Sequence, residues 1–301
     1  MKNSKSYRRV RNRRINTIFI LLILNITIYY YLISLDYNLI SHNSIKTSSA
    51  NYEMIPQICS DGSGGAFITS ERYDVCYAQY VNSSGDLQWE ERGILINPDV
   101  VSQYYAYTKI ISDDVGGSII ATLTDENWNV KFLVMRLNSS GDIQWEVDTI
   151  PINSVPYGGF QICSDGANGV IISWSFGYNV YAQRINSSGD IQWGESSIVI
   201  CDDPDDQEAL IICSDGNGGA IIAWEDDRGA DSSTDIYAQR INASGDIQWN
   251  ENGVVVCIAD NYQGHLRFFG DGYKGSLQIC SDNANGVIIV WEDCRNRKDN
   301  Y

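Results

Sequence analysis

Histidine is nearly missing from this 301-residue chain: His42 and His265 are the only two. A site built on several histidines is excluded by inventory, as is a mechanism that needs one in every repeat. The eight cysteines include no Cys-x-x-Cys, which removes the usual zinc and redox patterns. Basic residues are few, 21 against 38 acidic ones, for a net charge of −17. Seven of the 21 (Lys2, Lys5, Arg8, Arg9, Arg11, Arg13 and Arg14) stand in the first fourteen residues, which hold no acid. The other 14 basic residues face all 38 acids, so the rest of the chain carries −24. A surface that negative repels nucleic acid and anionic lipid, and neither is expected as a partner of the acidic part.

What the chain does have begins with one long apolar run. Residues 15–35 are uncharged and mostly apolar, long enough as a helix to span a hydrocarbon core of about 30 Å. Tyr29, Tyr30 and Tyr31 lie near its far end, where amphipathic rings favour the interface. The basic stretch before it predicts a cytoplasmic amino terminus and an outward-facing remainder, a single-pass protein of the cell membrane. A cleavable signal peptide is the competing reading, but the run is longer than such peptides use, and the small-residue cluster Ser48-Ser49-Ala50 lies well beyond it. The expected organisation is a basic tail over 1–14, a transmembrane signal anchor over 15–35, a polar stalk over 36–55 and repeats over 56–301.

The repeat is explicit. Asn-x-Ser-Gly-Asp-(Ile/Leu)-Gln-Trp occurs four times, ending at Trp89, Trp145, Trp193 and Trp249. Each copy follows a Ser-Asp pair, a Gly-rich turn, an apolar run and a segment like Tyr-Ala-Gln-Arg. The Ser-Asp serines are Ser60, Ser112, Ser164, Ser214 and Ser281. In the fourth copy the strands are read at 209–215, 220–224, 236–241 and 253–257, with a polar loop over 226–235. Alternation and β-branched runs separated by turns make this all-β. Four short strands in roughly fifty residues match a β-propeller blade, with a two-sheet sandwich as the alternative. Blades are expected at about 56–104, 105–157, 158–206 and 207–260. An insertion follows at 260–276, then a partial blade at 277–301, and this reads as a fragment of a longer frame.

The succession Gly-Gly-Ala-Ile-Ile-Ala-Trp-Glu-Asp-x-Arg, Asp-Ile-Tyr-Ala-Gln-Arg-Ile and Ser-Gly-Asp-Ile-Gln-Trp resembles the Asp-box (bacterial neuraminidase repeat) propellers of secreted or surface-anchored prokaryotic proteins. The resemblance covers Pro56 to Arg295. Gly and Asp are exchanged relative to the box, and Gln stands for its Thr. It implies a propeller and raises sialidase-type glycoside hydrolysis, which would need an arginine cluster. The first-strand position that would begin such a cluster holds Gln57, Lys109, Gln161, Ile211 and Gln278.

Candidate residues follow from the repeat. Cys59, Cys163, Cys213 and Cys280 share a position that holds Ile111 in the second copy, which marks a buried apolar site. Pairing of Cys201 with Cys213, or Cys257 with Cys280, is conceivable outside the cell. Asn82, Asn138, Asn186 and Asn242 each open an Asn-x-Ser sequon in a hairpin and are glycosylation candidates. The acidic loops holding Asp202, Asp203, Asp205 and Asp206, and Asp226, Asp227, Asp231 and Asp235, offer oxygen ligands for calcium, but neither fits the twelve-residue calcium loop. No cofactor is expected beyond that, and no metal or catalytic residue is assigned. His265, Arg267, Phe268 and Phe269, in the one segment that breaks the repeat, are the ligand-contact candidates. With no polar constellation peculiar to one blade in view, the expected function is a non-enzymatic binding or adhesion module for a protein or glycan ligand. A sialidase-like glycoside hydrolase and a purely structural cell-surface protein are the alternatives.

Overall fold

The computed structural model describes residues 53–72, 75–90, 92–97, 108–126, 129–152, 159–195, 197–229, 234–259, 263, 277–282, 284 and 286–293. The chain divides into Met1–Ala50 and Asn51–Tyr301, and every described residue belongs to the second unit. The expected tail and anchor, and nearly all of the stalk, lie outside the described residues. Among the described residues no helix is long and apolar enough to cross a membrane.

Four antiparallel sheets, each of four strands in chain order, follow one another. The first comprises β1 (Glu53–Ser60), β2 (Ala66–Arg72), β3 (Val75–Val81) and β4 (Ile94–Asn97). The second comprises β5 (Thr108–Ser112), β6 (Ser118–Glu126), β7 (Asn129–Leu137) and β8 (Ile143–Pro151). The third runs through β9 (Phe160–Ser164), β10 (Val170–Phe176), β11 (Asn179–Ile185) and β12 (Ile198–Cys201). The fourth holds β13 (Gln207–Ser214), β14 (Ala220–Asp226), β15 (Asp235–Ile241) and β16 (Val254–Cys257). A two-stranded sheet, β17 (Gln278–Ser281) and β18 (Val287–Val290), comes last. The first strands lie side by side in succession, β1 by β5, β5 by β9, β9 by β13 and β13 by β17, as the inner strands of propeller blades do.

The packing explains why the second strands read as unbroken apolar runs. Successive residues of a strand point to opposite faces, and in β6, β10 and β14 each face meets a neighbouring blade. Val170 and Ile172 enter the core shared with the second blade, beside Phe132 and Ile119. Ile171 enters the core shared with the fourth, beside Ile222 and Trp224. Two further clusters join the first blade to the second, through Phe67, Ala78 and Ile120, and the fourth to the fifth, through Ala223, Ile236 and Leu277. With both faces covered there is no solvent side to alternate toward.

Two boundaries differ from expectation. The first strand starts at Glu53 rather than in a blade opening at residue 56, because pairing with β2 continues past a register shift between Met54 and Gln57. Pro56 lies inside that shift, where a residue without an N–H costs the ladder nothing. β13 repeats the shift between Glu208 and Ile211, and Ala209 there has φ 48°. The polar loop expected over 226–235 is shorter than that, since both end residues are strand residues paired with one another.

Candidate functional site at the loop-bearing end of the fourth blade

An up-and-down blade puts its first and third connections at one end and its second connection, with the link to the next blade, at the other. The first end is uniform. In each first hairpin an Asp Oδ1 accepts the N–H groups of the residues two and four ahead. Asp61 takes Ser63 and Gly65 at 2.7 and 2.8 Å, and Asp215 takes Asn217 and Gly219 at 2.8 and 2.9 Å. Oδ2 then reaches the third strand. It accepts Tyr80 Oη at 2.8 Å in the first blade, Arg136 Nε at 2.8 Å in the second, and Arg184 and Arg240 in the third and fourth. Burial pushes the Asp61 carboxyl up, but the Ser63 hydroxyl and N–H, Tyr80 and the Gly65 N–H outweigh it and leave it at about 2. Asp215 is lowered against the same burial by the Asn217 N–H, Arg240 and the Gly219 N–H.

The sequon hairpins use the same device. Asn186 Oδ1 accepts the N–H groups of Ser188 and Asp190, both at 2.9 Å, while Nδ2 donates to Asp190 Oδ2 at 3.1 Å. The preceding blade then closes over the turn: Trp145 Nε1 donates to the Ser187 carbonyl at 2.9 Å and Arg136 Nη1 to the same oxygen at 3.3 Å. Gly189, at φ 87°, lies against the Trp145 ring, which a Cβ would meet at 3.0 Å. Trp89 and Trp193 make the same reach to Ser139 and Ala243, at 3.0 and 3.1 Å. These residues are structural fasteners, and their repetition follows from the repetition of the interface.

The other end varies from blade to blade, and in the fourth it gathers charge. Asp226 ends β14 and Asp235 begins β15. The two are register partners and both are buried, at 0% and 4% exposure. Trp224 Nε1 donates to Asp226 Oδ2 at 2.7 Å, Arg228 Nε donates to Asp226 Oδ1 at 2.7 Å, and Arg228 Nη2 closes on Oδ2. The guanidinium also donates to the Asn252 carbonyl at 3.0 Å, pairs with Asp203 at 3.6 Å and lies 3.9 Å from the centre of the Tyr237 ring. Burial would depress its pKa, but the hydrogen bonds and charge of Asp226 raise it, so Arg228 stays a cation. The two acidic loops thus meet around a built-in counter-ion, and the Asp227 N–H bonds the Asp206 carbonyl at 3.0 Å between them. Asp231 lies outside the described residues. Among the described residues no group of three or more His, Cys, Asp or Glu side chains is placed to hold a metal ion.

Next to this cluster, Gln207 is buried and among the described residues its Oε1 has no hydrogen-bond partner, while Nε2 serves the carbonyls of Asp203 and Asp205. Of the insertion at 260–276 only Gln263 is described. It is fully buried, exchanges bonds of 2.8 Å with Thr234 and accepts Trp291 Nε1 at 3.2 Å. His265, Arg267, Phe268 and Phe269 lie outside the described residues.

Among the described residues the seven cysteines form no disulfide with one another. Cys201 is at the upper end of β12 beside Arg228, whereas Cys213 stands just before the lower turn of the next blade, so the pairing conceived between them is absent. No disulfide joins Cys257 to Cys280. Burial pushes Cys59 up to about 12 and raises Cys163 and Cys201, where the Asp203 N–H and Arg228 oppose it without cancelling it. In native protein near pH 8, Cys163 and Cys201 are therefore expected to resist alkylation by iodoacetamide and to react only after denaturation. Site-resolved mass spectrometry checks this, and rapid labelling of either in folded protein would refute it.

No protein-family model matches the chain, and no curated protein does. Solved structures do. An α-L-arabinofuranosidase of Fusarium graminearum, solved with arabinobiose, is 11% identical with TM-score 0.46, over 79% of this chain and 74% of its own. An α-L-arabinanase of Penicillium chrysogenum is 10% identical with TM-score 0.43, over 82% and 77%. A GH43 protein of Bacillus licheniformis is 11% identical with TM-score 0.37 over 64% of this chain, which spans 40% of its length. Likeness at this level concerns the propeller fold. Still, the expectation of a non-enzymatic binding module, with no enzyme activity, is corrected: the solved structures similar to this chain carry glycoside hydrolase names. The polar constellation thought missing is also present, among the described residues in the fourth blade. The signal for it was Trp224-Glu225-Asp226-x-Arg228, which recurs only at 291–295. Arg228 reads as a loop residue until its partners are seen.

Proposed function

We propose that this chain hydrolyses glycosidic bonds, with Asp226 and Asp235 as the working carboxylates. The observation that carries the reading is that these two buried acids stand directly opposite each other at the loop-bearing end of one blade. Direct partners in an antiparallel pair have Cβ atoms about 4.5–5.5 Å apart. Glycoside hydrolysis with retention needs two carboxyl groups about 5–5.5 Å apart, one to attack or shield the developing cation and one to move the proton. Asp226, ringed by Trp224 and Arg228, suits the anion's part, and Asp235 then carries the proton. Repeat logic also supports the choice, since none of the first three blades has acids at this pair of positions, which hold Arg72 and Val75, Thr124 and Lys131, and Phe176 and Asn179.

Two further parts of the proposal rest on sequence. The repeats are kin to the Asp-box propellers through their Ser-Gly-Asp-Ile-Gln-Trp turns. The basic tail and the apolar run over 15–35 anchor the protein in the cell membrane with its blades outside. The test is a panel of aryl glycosides, beginning with α-L-arabinofuranosides and xylosides and including sialosides. Turnover is expected on at least one, with kcat/KM falling about 100-fold or more in Asp235→Asn. A silent panel, or turnover that Asp235→Asn leaves intact, overturns the assignment.

A further inference from the structure

We infer that Tyr178, at the tip of the β10–β11 hairpin, is a stacking platform for one sugar ring of a neutral glycan chain. The inference takes its setting from the hydrolytic reading of Asp226 and Asp235, and adds a chain-binding surface one blade away. It starts from a backbone conformation that an aromatic residue rarely adopts. Phe176 and Asn179 are register partners, so the hairpin turns on two residues, Gly177 and Tyr178, at φ 58° and 74°. Two-residue turns with positive φ at both positions favour Asn-Gly, Asp-Gly or Gly-Gly, with glycine second. A bulky side chain at positive φ is a genuine outlier. Of the other such non-glycine residues, Asp114, Asn168 and Asn252 are of types that tolerate it, and Ala209 is small. Among the described residues Tyr178 is the one aromatic side chain held this way.

Packing does not account for the ring. Tyr178 is 59% exposed, whereas the aromatics below it are enclosed: Trp174 is 2% exposed, stacks on Tyr181 at 5.9 Å and meets Phe132 edge-on at 5.1 Å. Asn179 Nδ2 donates to Tyr181 Oη at 3.1 Å, which ties the residue after the tip to that stack. The hairpin is thus a firm mount with an outward ring at a position that suits glycine. Local strain without a return in packing marks a functional position. The place fits a role beside the acid pair. The hairpin is the second connection of its blade, at the same end as Asp226 and Asp235. β10 and β14 face each other through Ile171, Ile222 and Trp224, and packed sheets lie about 10 Å apart. A sugar seated across the two acids therefore leaves Tyr178 to a neighbouring unit of the same chain. One face of a sugar ring is lined with C–H groups, and an aromatic face laid on it removes apolar surface from water. The phenol Oη at the ring edge can bond a sugar hydroxyl. A chain that carries −24 after its basic tail repels acidic polysaccharides, so the glycan is a neutral one.

The test separates binding from catalysis. Full-length protein carrying Asp235→Asn, so that the glycan is not consumed, is titrated calorimetrically with xylohexaose and with arabinohexaose. The same titrations are run with Tyr178→Gly, Tyr178→Leu or Tyr178→Phe added. At least one oligosaccharide should bind. Tyr178→Gly and Tyr178→Leu should each weaken it about tenfold, while Tyr178→Phe, which keeps the ring, changes it by less than about twofold. The urea midpoint of Tyr178→Gly should equal or exceed that of the parent, because glycine relieves the positive φ. Lost binding is then not lost fold. With Asp235 intact, Tyr178→Gly should raise KM for the bound hexasaccharide about tenfold and leave kcat/KM on aryl monosaccharide glycosides within about twofold. Failure to bind either oligosaccharide overturns the inference, and so does binding that Tyr178→Gly leaves unchanged, even where aryl glycosides are turned over. A lowered urea midpoint in Tyr178→Gly gives the ring a structural role and also overturns it. Silent aryl glycosides together with the tenfold loss of oligosaccharide binding would remove the hydrolytic reading and leave the platform standing.

Discussion

Arg228→Met is expected to destabilise the protein by about 3–5 kcal/mol, the usual consequence of removing one partner from a buried ion pair. The size follows from what the guanidinium serves. Asp226 is fully buried, faces the buried Asp235 across the strand pair, and has Asp203 on the far side of Arg228. Without Arg228 the buried Asp226 carboxylate keeps only the Trp224 indole and the backbone N–H of residue 228, with Asp235 opposite it, and the Asn252 carbonyl loses its guanidinium donor. Methionine retains much of the stem packing against Tyr237, so the loss is chiefly that of the charge. Urea unfolding followed by tryptophan fluorescence measures it. Asp226→Asn in the same background should recover part of the loss by removing the stranded charge, and the recovery is the specific signature. A change under about 1 kcal/mol would place the pair among surface ion pairs and refute the account.

The second large effect is acid lability. Asp61 is held at about 2 in the folded protein against an ordinary 3.8, and Asp215 and Asp282 are lowered as well. A depressed folded pKa means that the unfolded chain binds more protons as pH falls. The associated stability is present above about pH 4 and disappears as pH drops through the folded value near 2. For Asp61 alone the shift corresponds to about 2 kcal/mol. Urea midpoints between pH 6 and pH 2 should hold steady down to about pH 4.5 and then fall. Asp61→Asn keeps an oxygen for the Ser63 and Gly65 N–H groups but cannot titrate there, so its curve should be flatter below pH 4. A wild-type curve with no decline between pH 4 and pH 2 would contradict the role given to these turns.

Much of the architecture is legible in the residues because its causes are local. An Asp or Asn that bonds the N–H groups two and four ahead closes its own hairpin, whatever lies beyond. Gly-Gly-Ala-Ile-Ile-Ala-Trp reads as a strand because both faces must be apolar, and β14 is buried along its whole length. The shared cysteine position reads as a core site because Ile replaces it once, yet only Cys163 is buried there: Cys59, Ile111 and Cys213 are half-buried and Cys280 is exposed. Legibility ended at charge. The stretch from Asp226 to Asp235 looks solvated, since acids crowded in a loop ordinarily are. It is the Trp224 indole and a guanidinium two residues on, lodged between blades, that make their burial tolerable.

The sequence by itself determined the repeat, the four strands of each blade and the two Asx-closed turns. Those depend on contacts between residues a few positions apart and on the two-residue alternation of a strand. Only the tertiary structure decided which side chain closes over a turn and which acids come together. Those outcomes depend on the stacking of one blade on the next, which sets Trp145 on the Ser187 turn some forty residues away and Arg228 against Cys201 and Asp203 of the blade before. Identical turns thereby acquire different surroundings, and loops far apart in the chain become one site.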